Sequence, residues 1–242
     1  TTSLVLAIAQ IGNISGPVDA SLTTFATFTG NVGVSTDGFG STSDVGTISA
    51  DVPLGATVLK AYLYSSEFFT FGSSGTLAGT AVAYGAPVVH DGGFLATSRA
   101  DVTGIVKPLI DGGPGGVYDF TVTEGGPGGS NGEALVVVYS NPLLPTATVG
   151  ILDGFSSFSG DSFAVTFATP LDPTAPGFFA EMRLGIGHSC CGQESTVSVN
   201  GTTISTHSGN NDDGVGGLAN GQLITVGGFD DPFSPFLPSY AD

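Results

Sequence analysis

Basic residues are nearly missing from this chain. Its 242 residues contain four Lys and Arg against 21 Asp and Glu, which gives a formal net charge of −17. A surface this acidic repels nucleic acid and anionic membranes, so the charge argues against both as partners. No apolar run of 18 or more residues is present either, so the sequence predicts no membrane-spanning helix.

Cysteine, methionine and tryptophan are scarce as well, with two, one and none in the chain. The two cysteines, Cys190 and Cys191, are adjacent, which excludes a disulfide framework. Stability must therefore come from a buried core, from assembly or from bound ions. The absence of Trp argues against sugar stacking, and so against glycan cleavage.

Apolar residues are plentiful despite the acidic charge. Hydrophobic residues make up 40% of the chain, and the mean hydropathy is +0.33. Disordered acidic chains combine high charge with low hydrophobicity, so this chain is expected to fold around a large core. Its surface must then be rich in Ser, Thr, Gly and Asn rather than Lys and Glu. This combination favours an extracellular protein, and the chain is then the mature form of a secreted one.

Short segments rich in Val, Thr and Phe, separated by Gly, Asn, Asp and Pro, predict strands almost throughout. The predicted strands are 4–11, 22–28, 44–52, 57–65, 76–84, 116–123, 134–139, 147–155, 162–167, 180–187, 196–199, 202–205 and 222–226. The expected fold is all-β: a single large β-sandwich, jelly-roll-like, with long Gly-rich loops.

Three segments carry more specific expectations. Residues 134–139 are continuously apolar, as in a central strand covered on both faces. Asn200-Gly201 predicts a type I′ hairpin turn between two strands. The clearest helix candidate covers residues 100–107 and is expected to stop at Pro108.

The N-terminal strand is apolar and uncharged, and residues 1–16 are taken as a donor strand and hinge ahead of a sandwich body at 17–242. Large side chains alternate with small ones along it, which suits a strand inserted between two others. It either pairs within its own sandwich or is donated to a neighbouring copy. The residues expected at that interface are Leu4, Val5, Leu6, Ala7, Ile8, Ala9 and Ile11.

Five phrases resemble a poorly characterised family of secreted bacterial surface proteins with adhesin-like features. They are Lys60–Tyr64, Arg99–Thr103, Gly132–Pro142, Leu152–Phe155 and Leu223–Gly228. The resemblance spans roughly residues 57–231 and implies an extracellular β-sandwich with a structural or adhesive role, without catalytic residues. In composition and terminal strand the chain is also similar to filament subunits that polymerise by donor-strand exchange.

Acidic loops near the C-terminus are candidate Ca²⁺ sites, because calcium prefers hard oxygen ligands. The candidate ligands are Asn210, Asp212, Asp213, Asp230 and Asp231, with Asp153 and Asp161 behind them. The EF-hand spacing is missing, and a solvated loop of Asx turns explains the first three equally well. Calcium bound somewhere on the molecule would relieve its self-repulsion.

His188, Cys190 and Cys191 lie within four residues. A vicinal disulfide ranks first among their roles, bridges to neighbouring subunits second and a metal site third.

Catalysis is not expected. Five glutamates could supply a glycosidase pair, but their sequence positions do not set the carboxylate separation that such a pair needs; they are Glu67, Glu124, Glu133, Glu181 and Glu194.

These observations predict a structural subunit of an extracellular filament or cell-surface assembly. Its partner would be another copy of itself, joined through the N-terminal strand. The alternative is a monomeric, calcium-dependent adhesin or glycan-binding module of the cell surface. No membrane insertion, nucleic acid or cofactor other than Ca²⁺ is expected.

Overall fold

The computed structural model describes residues 7–10, 22–39, 44–89, 93–126, 130–154, 162, 172, 174–189, 195–208 and 222–226. Within them the chain forms strands and one short helix, which confirms the all-β prediction. The elements are β1 (Ala7–Gln10), β2 (Thr23–Gly30), β3 (Val32–Phe39), β4 (Val45–Val52), β5 (Thr57–Phe68), β6 (Ser74–Leu77), β7 (Thr80–Ala81), β8 (Val88–Val89), β9 (Leu95–Asp101), α1 (Thr103–Ile110), β10 (Gly116–Gly125), β11 (Ser130–Ser140), β12 (Ala147–Asp153), β13 (Leu184–Ser189), β14 (Ser195–Val199), β15 (Thr202–Ser208) and β16 (Gln222–Val226).

Three sheets stack on one another. The central sheet has the strand order β3-β11-β5-β9-β8, and the outer sheet has the order β4-β10-β6-β7. The third, called the mixed sheet here, has the order β16-β13-β1-β12-β2. One apolar core lies between the central and outer sheets and includes α1, and a second lies between the central and mixed sheets. The predicted sandwich thus carries an additional layer on its central sheet.

β11 shows why the central sheet can be covered on both faces. Leu135 and Val137 pack in the core against the outer sheet. Val136 and Val138 project from the opposite face into the core against the mixed sheet. All four are at most 1% exposed, so the continuous apolar run predicted a strand buried on both faces correctly.

The central and outer sheets meet along β3 and β4. The backbone N–H of Ser49 donates to Asp37 Oδ2, and that of Asp51 donates to Ser35 Oγ at 2.9 Å. Side chains of β3 therefore occupy backbone donors on β4, the edge strand of the outer sheet. An edge covered in this way is closed to pairing with other chains.

The helix begins and ends three residues later than the sequence predicted. Ala100 is 2% exposed and belongs to β9, so the backbone is still extended where a helix was expected. Asp101 Oδ1 then accepts the N–H of Thr103 at 3.0 Å, which satisfies a donor of the first turn. Pro108 lies inside α1 rather than after it. The helix ends at Ile110, which is buried in the core.

Two tight hairpins use positive backbone φ angles. Asn200 and Gly201 have φ of 50° and 78° between β14 and β15, which confirms the predicted turn. Ala78 and Gly79 have φ of 49° and 75° between β6 and β7. The single strand predicted over 76–84 is therefore a hairpin, and it is Ala78 that takes the unusual conformation for an L-residue.

Candidate functional site

The mixed sheet contains a slot between β12 and β13, and β1 fills it. Ala7 pairs with Leu152 of β12, and residues 7–10 pair in register with residues 184–187 of β13. Both pairings are parallel, whereas β12 with β2 and β13 with β16 are antiparallel. Removal of β1 would leave unpaired backbone N–H and C=O groups on the facing edges of both neighbours.

No tight turn connects β1 to either neighbour. β12 ends at Asp153 and β13 begins at Leu184, far along the chain. β1 is followed in sequence by β2, which starts at Thr23 and pairs with the opposite edge of β12. Parallel strands cannot be joined by a two-residue hairpin, so β1 is held in the slot by its ladder and not by a local turn.

The end of β12 beside the slot is fastened to the central sheet by Arg99 of β9. Arg99 Nη1 donates to Asp153 Oδ2, and Tyr64 Oη donates to the same oxygen at 3.4 Å. The guanidinium carbon of Arg99 also lies 3.3 Å from the ring centroid of Phe25, at a β-bulge of β2. These four residues combine an ion pair with a cation–π contact across two sheets.

Several predicted site residues fall outside the described part of the chain. Ala7, Ile8 and Ala9 lie in β1. Those outside the described residues are Leu4, Val5, Leu6, Ile11, Asp161, Cys190, Cys191, Asn210, Asp212, Asp213, Asp230 and Asp231. Within the described residues, no three His, Cys, Asp or Glu side chains are arranged to hold a metal ion. The calcium and disulfide assignments stay predictions.

Three glutamates meet at one end of the core between the central and outer sheets. Glu67 lies near the end of β5, Glu124 near the end of β10 and Glu133 near the start of β11. Glu67 is 2% exposed and Glu133 is 0% exposed. These three residues are called the carboxylate cluster. Sequence reasoning had named all three among five glutamates, but it could not show that they meet.

Hydroxyl groups and backbone amides surround the carboxylate cluster. Glu67 accepts hydrogen bonds from the N–H of Gly72, from Ser73 Oγ at 2.7 Å and from Ser98 Oγ at 2.5 Å. Tyr84 Oη donates to Glu133 Oε2 at 2.5 Å. Among the described residues, Glu133 Oε1 and Glu124 Oε1 are buried without a hydrogen-bond partner.

Burial controls the protonation of this cluster. It raises the pKa of Glu133 well above the ordinary glutamate value, and the nearby charges of Glu124 and Glu67 add to the rise. Burial also raises the pKa of Glu124 to about 7, with a further contribution from Asp44. The pKa of the Tyr84 hydroxyl is raised by burial and by the adjacent Glu133 carboxyl.

None of the four Lys and Arg side chains balances the carboxylate cluster. The chain contains four Lys and Arg, and each pairs with another carboxylate. These ion pairs are Lys60–Asp101, Arg99–Asp153, Lys107–Asp111 and Arg183–Glu181. A buried carboxyl group without a cation is stable mainly in its neutral form. Glu124 and Glu133 therefore retain protons at pH values where exposed glutamates have lost theirs.

The geometry of the cluster differs from that of a glycosidase pair. Such a pair flanks a sugar bound in an open cleft, whereas Glu133 and Glu67 are enclosed between two sheets. Of the other two glutamates named from sequence, Glu181 pairs with Arg183 at 2.5 Å and Glu194 lies outside the described residues.

Comparisons with known proteins found no similar protein with which these two sites could be compared. No family model matches the chain, and no curated protein or solved structure matches it either. In the part of the chain that the structure describes, no helix is long and apolar enough to cross a membrane. Functional inference therefore rests on the two sites themselves.

Proposed function

We propose that this protein is a structural subunit of an extracellular filament or surface assembly. In the assembly, the N-terminal strand of one copy fills the slot between β12 and β13 of the next. The observation that carries the proposal is the position of β1, parallel to both neighbours and joined to neither by a turn. Strand addition of this kind uses main-chain hydrogen bonds for affinity.

The connection between β1 and β2 supports an exchange. A strand can move to another copy at low cost when the same contacts form again there and only a connecting segment changes its path. Here that segment is residues 11–22, which contains Gly12, Gly16 and Pro17. All antiparallel pairings of the mixed sheet, β12 with β2 and β13 with β16, stay within one copy during the exchange.

Because the surface is acidic, the contact between copies must hold them together against charge repulsion. Copies that each carry a formal charge of −17 repel one another over about a Debye length, roughly 8 Å at physiological salt. A ladder of backbone hydrogen bonds is independent of side-chain charge and can hold such copies together. Polymer growth is then expected to increase with salt or with divalent cations.

The experiment compares the intact chain with a variant lacking residues 1–11. We expect the intact protein to form filaments in negative-stain images, and the deletion variant to stay monomeric with an empty slot. A synthetic peptide of residues 1–11 raises the melting temperature of the variant, whereas a scrambled peptide of the same composition does not.

Two results would reject this proposal. Normal polymerisation of the deletion variant would show that the N-terminal strand is not the connecting element. An intact protein that remains monomeric at high concentration and high salt would exclude a filament and favour a monomeric surface adhesin.

A further inference from the structure

The carboxylate cluster lies beneath two chain crossings between sheets. Residues 69–73 carry the chain from β5 of the central sheet to β6 of the outer sheet, and the second crossing, from β10 back to β11, is described at its first residue, Gly126. Glu67 binds the first crossing through Gly72 and Ser73. Glu124 lies at the end of β10, next to the second crossing, and pairs with Gly75 of β6.

The two crossings also contact each other. A Cβ atom placed on Gly126 would lie 2.9 Å from the carbonyl oxygen of Gly72, so these backbones touch with no room for a side chain. On the central sheet, Ser65 Oγ and Ser130 Oγ are hydrogen bonded at 2.9 Å. A local opening here would separate the crossings and admit water to the cluster.

We propose that the carboxylate cluster is a proton-operated latch, which holds the central and outer sheets together at this end and loosens when its protons are lost. The inference is independent of the proposed filament function. It rests on three carboxyl groups at one end of the core, two of them at most 2% exposed, with all four Lys and Arg side chains paired elsewhere.

The groups that face Glu133 explain why the latch loosens when protons are lost and not when they are gained. Tyr84 donates to it from the segment after β7, Glu124 faces it from β10 and Glu67 from β5, while Asp44 adds negative charge near Glu124. All of the ionisable groups in this set are acids, so each lost proton adds negative charge to an enclosed site. Repulsion within the site can be relieved only by opening toward water.

Glu133 and Glu67 play different parts in the latch. One oxygen of Glu133 accepts a hydrogen bond from Tyr84, and the other has no described partner. This arrangement is compatible with a neutral carboxyl group. Glu67 uses both oxygens to accept hydrogen bonds. A neutral amide should therefore replace Glu133 well and replace Glu67 poorly.

Hydrogen exchange measured by mass spectrometry tests the latch. Protection factors, corrected for the intrinsic pH dependence of exchange, are compared between pH 6 and pH 9. In the wild type, protection of peptides covering 69–77 and 121–133 falls at least about tenfold, the effect of about one pKa unit of lost stabilisation. Protection of the β14–β15 hairpin changes much less.

Matched Glu→Gln variants localise the effect. Glu133→Gln carries no titrating group in the buried position, so it should lose less protection at pH 9 than the wild type, with Glu124 still titrating, whereas the control Glu181→Gln should behave like the wild type. Equal loss of protection in Glu133→Gln and wild type would overturn the proposal. If Glu133→Gln does not fold, the wild-type comparison decides alone, because unchanged protection of both crossings between pH 6 and pH 9 rejects the latch.

Discussion

Arg99 of β9 and Asp153 of β12 form an ion pair that joins the central sheet to the mixed sheet beside the slot occupied by β1. Their side chains are 33% and 19% exposed, so the pair is partly shielded from solvent. Tyr64 and Phe25 complete the contact from either side. The strand slot is thus attached to the core at the position where Leu152 pairs with Ala7.

Breaking this ion pair is expected to destabilise the protein. Arg99→Ala leaves Asp153 without its cation and removes the cation–π contact, at a cost of about 1–3 kcal/mol in unfolding free energy. Lys60 and Asp101 provide the control pair, with side chains 41% and 47% exposed. A double-mutant cycle by urea denaturation should give a coupling energy near zero for the control, because solvent screens an exposed ion pair. A coupling energy for Arg99–Asp153 no larger than the control would refute its anchoring role.

Stability should fall as the pH rises through neutrality. The pKa of Glu124 is raised from 4.5 to about 7 in the folded protein. The folded state therefore binds this proton more tightly than the unfolded state. Its stabilising contribution is complete below pH 4.5 and is lost as the pH rises through 7. Glu133, whose pKa is also raised, contributes with the same sign.

Melting curves between pH 5 and pH 8 measure this effect. We expect the melting temperature to decline by several degrees, because 1 kcal/mol corresponds to about 2–4 °C for a chain of this size. Glu67→Gln should melt lower at every pH, since an amide has one accepting oxygen, whereas the two oxygens of Glu67 accept from the Gly72 N–H and from the hydroxyls of Ser73 and Ser98. A melting temperature that increases toward pH 8 would contradict the account of the cluster.

The sequence predicted individual strands better than it predicted their stacking. Residues 134–139 indicated burial on both faces, and β11 confirms this, because an unbroken apolar run has no solvent-facing side. β3 was missed because its Gly, Ser, Thr and Asp are typical of loops. Its Ser35 and Asp37 are buried by bonding to β4 instead. That partnership depends on the tertiary fold, which strand propensity does not contain.

The carboxylate cluster could not be predicted for a similar reason. Glu67 and Glu133 meet through the pairing of β5 with β11 in the central sheet, and Glu124 faces them from β10 of the outer sheet. A sequence signal did exist in the shortage of basic residues, because 21 acidic side chains cannot all find a cation among four Lys and Arg. That imbalance means that a carboxylate buried in the core has few cations with which to pair, without indicating which carboxylates are buried.

The adjacent cysteines, Cys190 and Cys191, are predicted to be oxidised, because the extracellular location proposed for the chain is an oxidising environment. Thiol titration of the unfolded, unreduced protein should detect no free sulfhydryl. Mass analysis under non-reducing conditions then separates a vicinal disulfide within one chain from bridges between chains. Two reactive thiols per chain would exclude both disulfides and favour a metal site with His188.

Calcium is predicted to stabilise the fold or the assembly, because a formal charge of −17 creates repulsion that cations relieve. Calcium at 100 times its Kd would add about 2.7 kcal/mol to the unfolding free energy. The predicted ligands are Asn210, Asp212, Asp213, Asp230 and Asp231. Melting curves in chelator and in millimolar calcium, at constant ionic strength, should differ by several degrees. Identical curves would reject the prediction.

The origin of the strand in the slot is the central question, and a disulfide cross-link can answer it. Ala9 pairs with Ile186 across the parallel ladder. Neighbouring strands lie about 4.8 Å apart, within the range of about 4.4–6.8 Å between the Cα atoms of a disulfide. Ala9→Cys with Ile186→Cys, in a chain whose native cysteines are replaced by Ser, reports which copy supplies the strand.

A second cysteine pair provides the control. Thr29 and Thr148 are paired between β2 and β12 of the same copy, with their hydroxyl oxygens 3.2 Å apart. Cysteines at these positions should cross-link within one chain and remain monomeric on a non-reducing gel. For the pair at 9 and 186, strand donation predicts a ladder of covalent oligomers from assembled protein. A single monomer band with its thiols fully oxidised would contradict the donor-strand account.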